Sequence, residues 1–161
     1  MADAATSEID HCLLDNAIKY SLEKIGKSDF SLKSQQRDAL REIVNGRDVL
    51  AILPTGFGKS LIFQLLPFVF DFLNGQELGS SVIVISPLNG LIRDEIEKLK
   101  RFMAVCVLQA HSHVGDNDQN AEHRSTDDNF SKYNFDQLSK FQLIFAHPEV
   151  FVESKKVCLI E

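Results

Sequence analysis

The residues with the clearest chemical purpose are Pro54-Thr55-Gly56-Phe57-Gly58-Lys59-Ser60. Holding a polyphosphate tail takes several N–H donors converging on one concavity, and glycines let the backbone turn tightly with no Cβ in the way. A helix starting at Lys59 would add free N–H groups and the positive end of its dipole. Lys59 would place an ammonium on the β- and γ-phosphates, and the Ser60 hydroxyl would complete the shell of a phosphate-bound Mg²⁺. Thr55, Gly56, Phe57, Gly58, Lys59 and Ser60 are therefore the candidate phosphate-binding residues. Lys59 is the candidate catalytic residue and Ser60 the candidate metal ligand. The strict pattern asks for Gly where Leu53 stands, so the flanking elements must decide between this reading and an ordinary Gly-rich turn.

Those flanks agree with it. Val49–Leu53 is a short apolar, β-branched run between Asp48 and Pro54, the pattern of a strand buried on both faces. A helix is expected from Lys59, and Pro67 should kink or end its first section near Leu66. Its phenylalanines (Phe63, Phe68, Phe70, Phe72) read as core. Strands are expected at 81–86, 104–108 and 142–146, with a helix near 88–101 between the first two. Upstream, apolar residues recur with helical spacing from Ser7, a candidate N-cap, to Ile25, and a second helix fits Ser34 to Asn45. Alternating strands and helices imply an α/β fold with right-handed crossovers and a parallel sheet, preceded by an N-terminal helix.

The chain has 161 residues, 44% of them apolar and 25% charged, the composition of a globular domain with one core. The net charge of −6 argues against binding nucleic acid through the whole surface and leaves room for a local basic groove. Cys12, Cys106 and Cys158 are too few and too scattered for a disulfide framework, which points to a reduced intracellular compartment, nucleus or cytoplasm. The acidic N-terminus is no secretory signal, and the longest apolar stretch, Leu61 to Leu73, contains Gln64, Pro67 and Asp71, too short and too polar for a membrane helix. No membrane partner is expected. His111, His113, Asp116, Asp118 and His123 match no closed zinc pattern; the 111–130 segment reads as a polar loop.

The phosphate loop resembles that of superfamily-two helicases, which commonly begins without the first glycine, and the chain as a whole is most similar to RecQ-type DNA helicases. Four separated features carry the resemblance in order. Gln36 lies 23 residues before Lys59 and matches the family's adenine-reading glutamine, a carboxamide being complementary to adenine N6–H and N7; neighbouring Gln35 leaves the register open by one. Gly46-Arg47-Asp48 makes the turn into the phosphate-loop strand. Ser86-Pro87-Leu88-Asn89 opens the element that, by resemblance, holds single-stranded DNA, and the His147-Pro148-Glu149 element belongs on the same side. Ser86, Pro87, Asn89 and His147 are thus candidate DNA-binding residues. The family often has Gln where this chain has Glu95, and a carboxylate near phosphate is unfavourable, so Glu95 is not expected to touch DNA.

The resemblance implies a RecA-like P-loop NTPase domain at residues 30–161 behind a helical extension at 1–29, binding ATP with Mg²⁺ and acting on single-stranded or partly duplex DNA in the 3′ to 5′ direction. The family's acidic Asp-Glu-x-His element is not reached, although Val157-Cys158-Leu159-Ile160 could begin its strand, and a second RecA-like domain is missing. The domain is therefore expected to be incomplete, and the fragment to hydrolyse ATP poorly alone. Rival readings are an RNA helicase of the same superfamily, a small-substrate kinase sharing the loop, and a truncated, non-catalytic nucleotide-binding module.

Overall fold

The computed structural model describes residues 8–77, 79–108 and 138–153. Ser7, Cys158, the 111–130 segment with its histidines, and the 157–161 run lie outside them. In chain order the elements are α1 (His11–Lys24), α2 (Ser34–Val44), α3 (Lys59–Asn74), β1 (Val82–Ile85), α4 (Asn89–Leu99), β2 (Val105–Leu108), β3 (Leu143–Ala146) and α5 (Pro148–Glu153). The strands form a parallel sheet in the order β1-β3-β2. Because β3 comes last in sequence yet lies in the middle, both its neighbours reach it by crossovers. It is also the most apolar strand, and all four of its residues are buried, as a parallel strand covered on two faces must be.

α3 is the axis of the core. Leu61, Leu65, Phe68 and Val69 on it are buried, and they recur at the three- and four-residue steps that place side chains on one helical face. That face receives Leu14, Ala17, Ile18 and Leu22 of α1, so the leading helix shares the core of the phosphate-loop helix. Phe63 meets Phe145 of β3 edge to face, with ring centroids 6.0 Å apart. Each large side chain buried here stabilises the fold by roughly 1.5–3 kcal/mol. At the far end of α3, buried Asp71 accepts hydrogen bonds from the Gly79 and Ser80 N–H groups at 3.2 and 2.7 Å, aiming the chain into β1.

α1 begins at His11 behind the N-cap Asp10, not directly after Ser7, and two further local expectations fail. The run 49–53 is not a strand: it is irregular and pairs with no described strand, with Leu50 88% and Ile52 86% exposed. Apolarity and β-branching qualify a segment for a sheet interior, but burial takes a neighbouring strand, and no described strand lies beside this one. Pro67 does not end α3 near Leu66, since the helix runs on to Asn74. A proline removes one backbone hydrogen bond and crowds the preceding turn. Here the ring is fully buried among apolar neighbours, and that packing holds the helix through the break.

Candidate nucleotide and nucleic-acid sites

The phosphate loop is built from two left-handed glycines. Gly56 has φ 77° and Gly58 φ 88°, a region that other residues enter only at a cost. Gly58 is also the N-cap of α3. Within the loop the Phe57 N–H donates to the Pro54 carbonyl and the Leu61 N–H to the Gly58 carbonyl. The N–H groups of Gly56, Gly58, Lys59 and Ser60 donate to no described residue, and neither does the Ser60 hydroxyl. These donors stand at the positive end of a 16-residue helix, the arrangement that attracts an anion. Thr55 is exposed beside them.

Lys59 is turned onto its own loop: its ammonium donates to the Leu53 and Pro54 carbonyls, each at 2.9 Å. A phosphate would have to draw it away from them. Neutral carbonyls are weaker partners for an ammonium than an anion is, so the exchange runs in the required direction.

Gln36 is 1% exposed, and its carboxamide is engaged at both ends. Its Oε1 accepts from the Lys33 N–H at 2.9 Å, and its Nε2 donates to the Phe57 and Gly58 carbonyls at 3.1 and 3.0 Å. One side chain thereby fastens the start of α2 to the phosphate loop, so adenine recognition by Gln36 requires these bonds to be exchanged. Gln35 is exposed and accepts only from the Ser34 hydroxyl. A Cβ on Gly58 would stand 2.6 Å from Gln36 Nε2, so glycine is needed there for space as well as for φ.

A cavity of about 480 Å³ opens beside the loop, between the α1–α2 connection, α3 and the C-terminal half of α4. That volume lies within the range of small-ligand pockets. Phe57 lines it with the Lys33 ammonium 3.9 Å from its ring centroid, which settles the direction of this aromatic: it faces the cavity. Lys27, Lys33, Lys98 and Arg101 give the walls positive charge in a chain whose net charge is −6. Among the lining residues is a buried polar pair that sequence reasoning did not find. The Gln64 Nε2–H donates to Glu95 Oε2 at 2.6 Å, and the Lys98 ammonium stands 3.4 Å from Oε1. Gln64 lies four residues after Ser60, hence on the same face of α3; a lone amide in a Phe-rich helix was the available signal. Glu95, buried against α3, does not face the β1 edge.

The candidate DNA-binding residues gather separately. Ile85 pairs with Ala146 across β1 and β3, so Ser86 and His147 follow side by side at the C-terminal ends of adjacent parallel strands, where open α/β sheets bind ligands. Ser86 is buried, and its Oγ accepts from the Leu88 N–H at 3.3 Å. Pro87 and Asn89 are exposed at the start of α4, and His147 is half-buried.

The sequence profile of DEAD/DEAH box helicases matches residues 33–157. The chain belongs to this family. Within it, the chain is 39% identical over 70 residues to a probable ATP-dependent DNA helicase RecS of Bacillus subtilis, covering 44% of this chain and 12% of that protein. To the ATP-dependent DNA helicase RecQ of Haemophilus influenzae it is 34% identical over 70 residues, 44% of this chain and 10% of the other. A putative ATP-dependent DNA helicase Q1 of Caenorhabditis elegans is 31% identical over 137 residues, 83% of this chain and 19% of that protein. The chain thus spans a fifth or less of the length of these relatives. The resemblance to RecQ-type helicases and the RecA-like P-loop fold both stand. Among the described residues no helix is long and apolar enough to cross a membrane.

Proposed function

We propose that this chain is the ATP-binding domain of a RecQ-like DNA helicase, with residues 30–161 as the RecA-like unit and 1–29 as its helical extension. The observation that carries the reading is the loop itself: two left-handed glycines and unpaired amides at the head of α3, with a cationic cavity alongside. Amides from Gly56 to Ser60 hold the phosphates, and Lys59 leaves the Leu53 and Pro54 carbonyls to neutralise them. Ser60 fits Mg²⁺, since its hydroxyl is a hard oxygen donor with no partner among the described residues; the cation, when bound with ATP, supplies charge neutralisation at the phosphates. Gln36 ties the loop to α2 and reads adenine by exchanging its carbonyl partners.

Single-stranded DNA lies at the β1–β3 edge, on the Ser86 hydroxyl, the Asn89 N–H and His147, since the Ser86 and Leu88 N–H groups are already bonded within the protein; these are contacts that position a backbone. ATP binding closes the domain on a second RecA-like domain, and hydrolysis releases it, giving 3′ to 5′ stepping in an intracellular, nuclear or cytoplasmic setting. The acidic Mg²⁺ ligand, the water-orienting group and the positive finger that phosphoryl transfer requires are not among the described residues. On this reading the positive finger comes from the second RecA-like domain, and the domain by itself hydrolyses ATP slowly. Mg-ATP should raise the thermal midpoint of the wild-type chain, with a stabilisation of about 2.7 kcal/mol at a ligand concentration of 100 Kd, and Lys59→Ala should abolish the rise. An unchanged shift in the variant would defeat the assignment. Stronger binding of single-stranded RNA than of DNA in an anisotropy titration would transfer the chain to the RNA-directed branch of the superfamily.

A further inference from the structure

Glu95 is an unusual lining residue for a pocket meant for an anion. It is 6% exposed, yet it contributes to the cavity wall beside the phosphate loop. Its two partners among the described residues, the Gln64 amide at 2.6 Å and the Lys98 ammonium at 3.4 Å, fill only part of a carboxylate's acceptor capacity of about four lone-pair sites. Gln64 does more than neutralise polarity: its N–H holds one carboxylate oxygen and so fixes the orientation of the group. Gln64 sits about 6 Å along α3 from Ser60, one helical turn, and the pair lines the same cavity as Gly56, Gly58 and Ser60 of the loop. What adjoins the phosphates of a nucleotide is its sugar, and a carboxylate is the group that accepts hydrogen bonds from ribose hydroxyls in other nucleotide sites.

We propose that Glu95, oriented by Gln64, accepts hydrogen bonds from the ribose hydroxyls of the bound nucleotide and makes this domain selective for ribonucleotides over those lacking the hydroxyls. The proposal rests on the reading of the loop as an ATP site and adds to it the residue that distinguishes one triphosphate from another. Lys27, Lys33, Lys98 and Arg101 around the same cavity offset the repulsion between Glu95 and the phosphates. Its position on α4, in place of a neutral amide, then has a purpose on the nucleotide side of the domain that the DNA edge does not supply.

The test is calorimetric titration of the 161-residue chain with Mg-ATP and with Mg-2′,3′-dideoxy-ATP. The wild type is expected to bind ATP about tenfold more tightly, a difference of ~1.4 kcal/mol. Glu95→Gln keeps the side-chain volume and its bond from Gln64 but turns an N–H donor toward the cavity. It should bring the two affinities within about twofold, by weakening ATP and leaving the dideoxy nucleotide unchanged or tighter as the negative charge is lost. Glu95→Ala should do the same, and if it fails to fold the glutamine variant decides alone. Wild-type affinities within twofold of each other, or a tenfold preference that survives Glu95→Gln, would overturn the proposal while leaving the phosphate site intact. Absence of binding by either nucleotide to the wild type would overturn both.

Discussion

Replacing Gly58 by alanine tests the geometry of the phosphate loop more sharply than any change of charge. Two costs act together. A residue with a Cβ held at φ 88° is strained by about 1–3 kcal/mol. The new Cβ would also stand 2.6 Å from Gln36 Nε2, closer than such atoms approach, so Gln36 must withdraw and lose its bonds to the Phe57 and Gly58 carbonyls. Those bonds contribute about 1 kcal/mol each, and a buried amide left without partners costs somewhat more. The total is roughly 3–5 kcal/mol, a large part of the stability of a domain this size. Gly56→Ala is the internal control: its φ is 77°, but nothing lies within 4 Å of the added carbon, so only the strain remains, about 1–3 kcal/mol. Urea denaturation followed by circular dichroism measures both. In a Gln36→Ala background the obstruction is gone, and Gly58→Ala should fall to the cost of Gly56→Ala, a coupling of about 2 kcal/mol. Equal costs for the two glycines in the wild-type background, or additivity of Gly58→Ala with Gln36→Ala, would refute the claim that Gln36 clamps the loop.

Other expectations follow from the same geometry. Arg37 donates to Asp15 at 2.8 Å across α1 and α2 and holds the Asp15 carboxyl below its ordinary value of 3.8. A depressed carboxylate stabilises the fold above that value and ceases to as pH falls through its lower folded-state value. The pair is largely exposed, so the gain is only about 0.5 kcal/mol, and denaturation curves of wild type and Asp15→Asn should converge in acid; a gap that persists below pH 3 would contradict this. Burial pushes the Cys106 thiol up to about 11, whereas Cys12 is exposed. Iodoacetamide at pH 8, where ~0.1% of Cys106 is thiolate, should label Cys12 first in a peptide mass map; simultaneous labelling would place Cys106 nearer the surface. Leu50→Ser should alter stability by less than about 0.5 kcal/mol, against ~3–5 kcal/mol for Phe68→Ala in the core, with urea midpoints as the readout. Comparable losses would mean that the 49–53 run is packed in solution.

Much of the architecture was legible because local patterns and global fold agree. β1, β2 and β3 are short β-branched runs between turn signals, and each occupies a four-residue span inside its expected range. α2 ends where Gly46 takes a left-handed turn. The loop was legible for a stronger reason: Gly56 and Gly58 are residues that its left-handed backbone requires, and Lys59 and Ser60 are the types that the proposed phosphate ligand would require, so the motif carries its own geometry. Pro67 misled because helix-breaking is a local penalty, and burial of its ring among α3's core partners outweighs it. The 49–53 run misled in the opposite sense, since apolarity states what a segment can bury and says nothing of whether a partner lies alongside.

The amino-acid sequence by itself determined the membership in the helicase family and the strand-and-helix order outside the 49–53 run, and it singled out the residues proposed to meet a phosphate, because these depend on neighbours along the chain. Only the tertiary structure decided that Gln36 grips the loop from 21 and 22 residues away, that Lys59 rests on its own carbonyls, and that Gln64 orients Glu95 across 31 residues. A hydrogen bond is set by distance and angle in space, and residues far apart in sequence acquire those only when α2, α3 and α4 have packed.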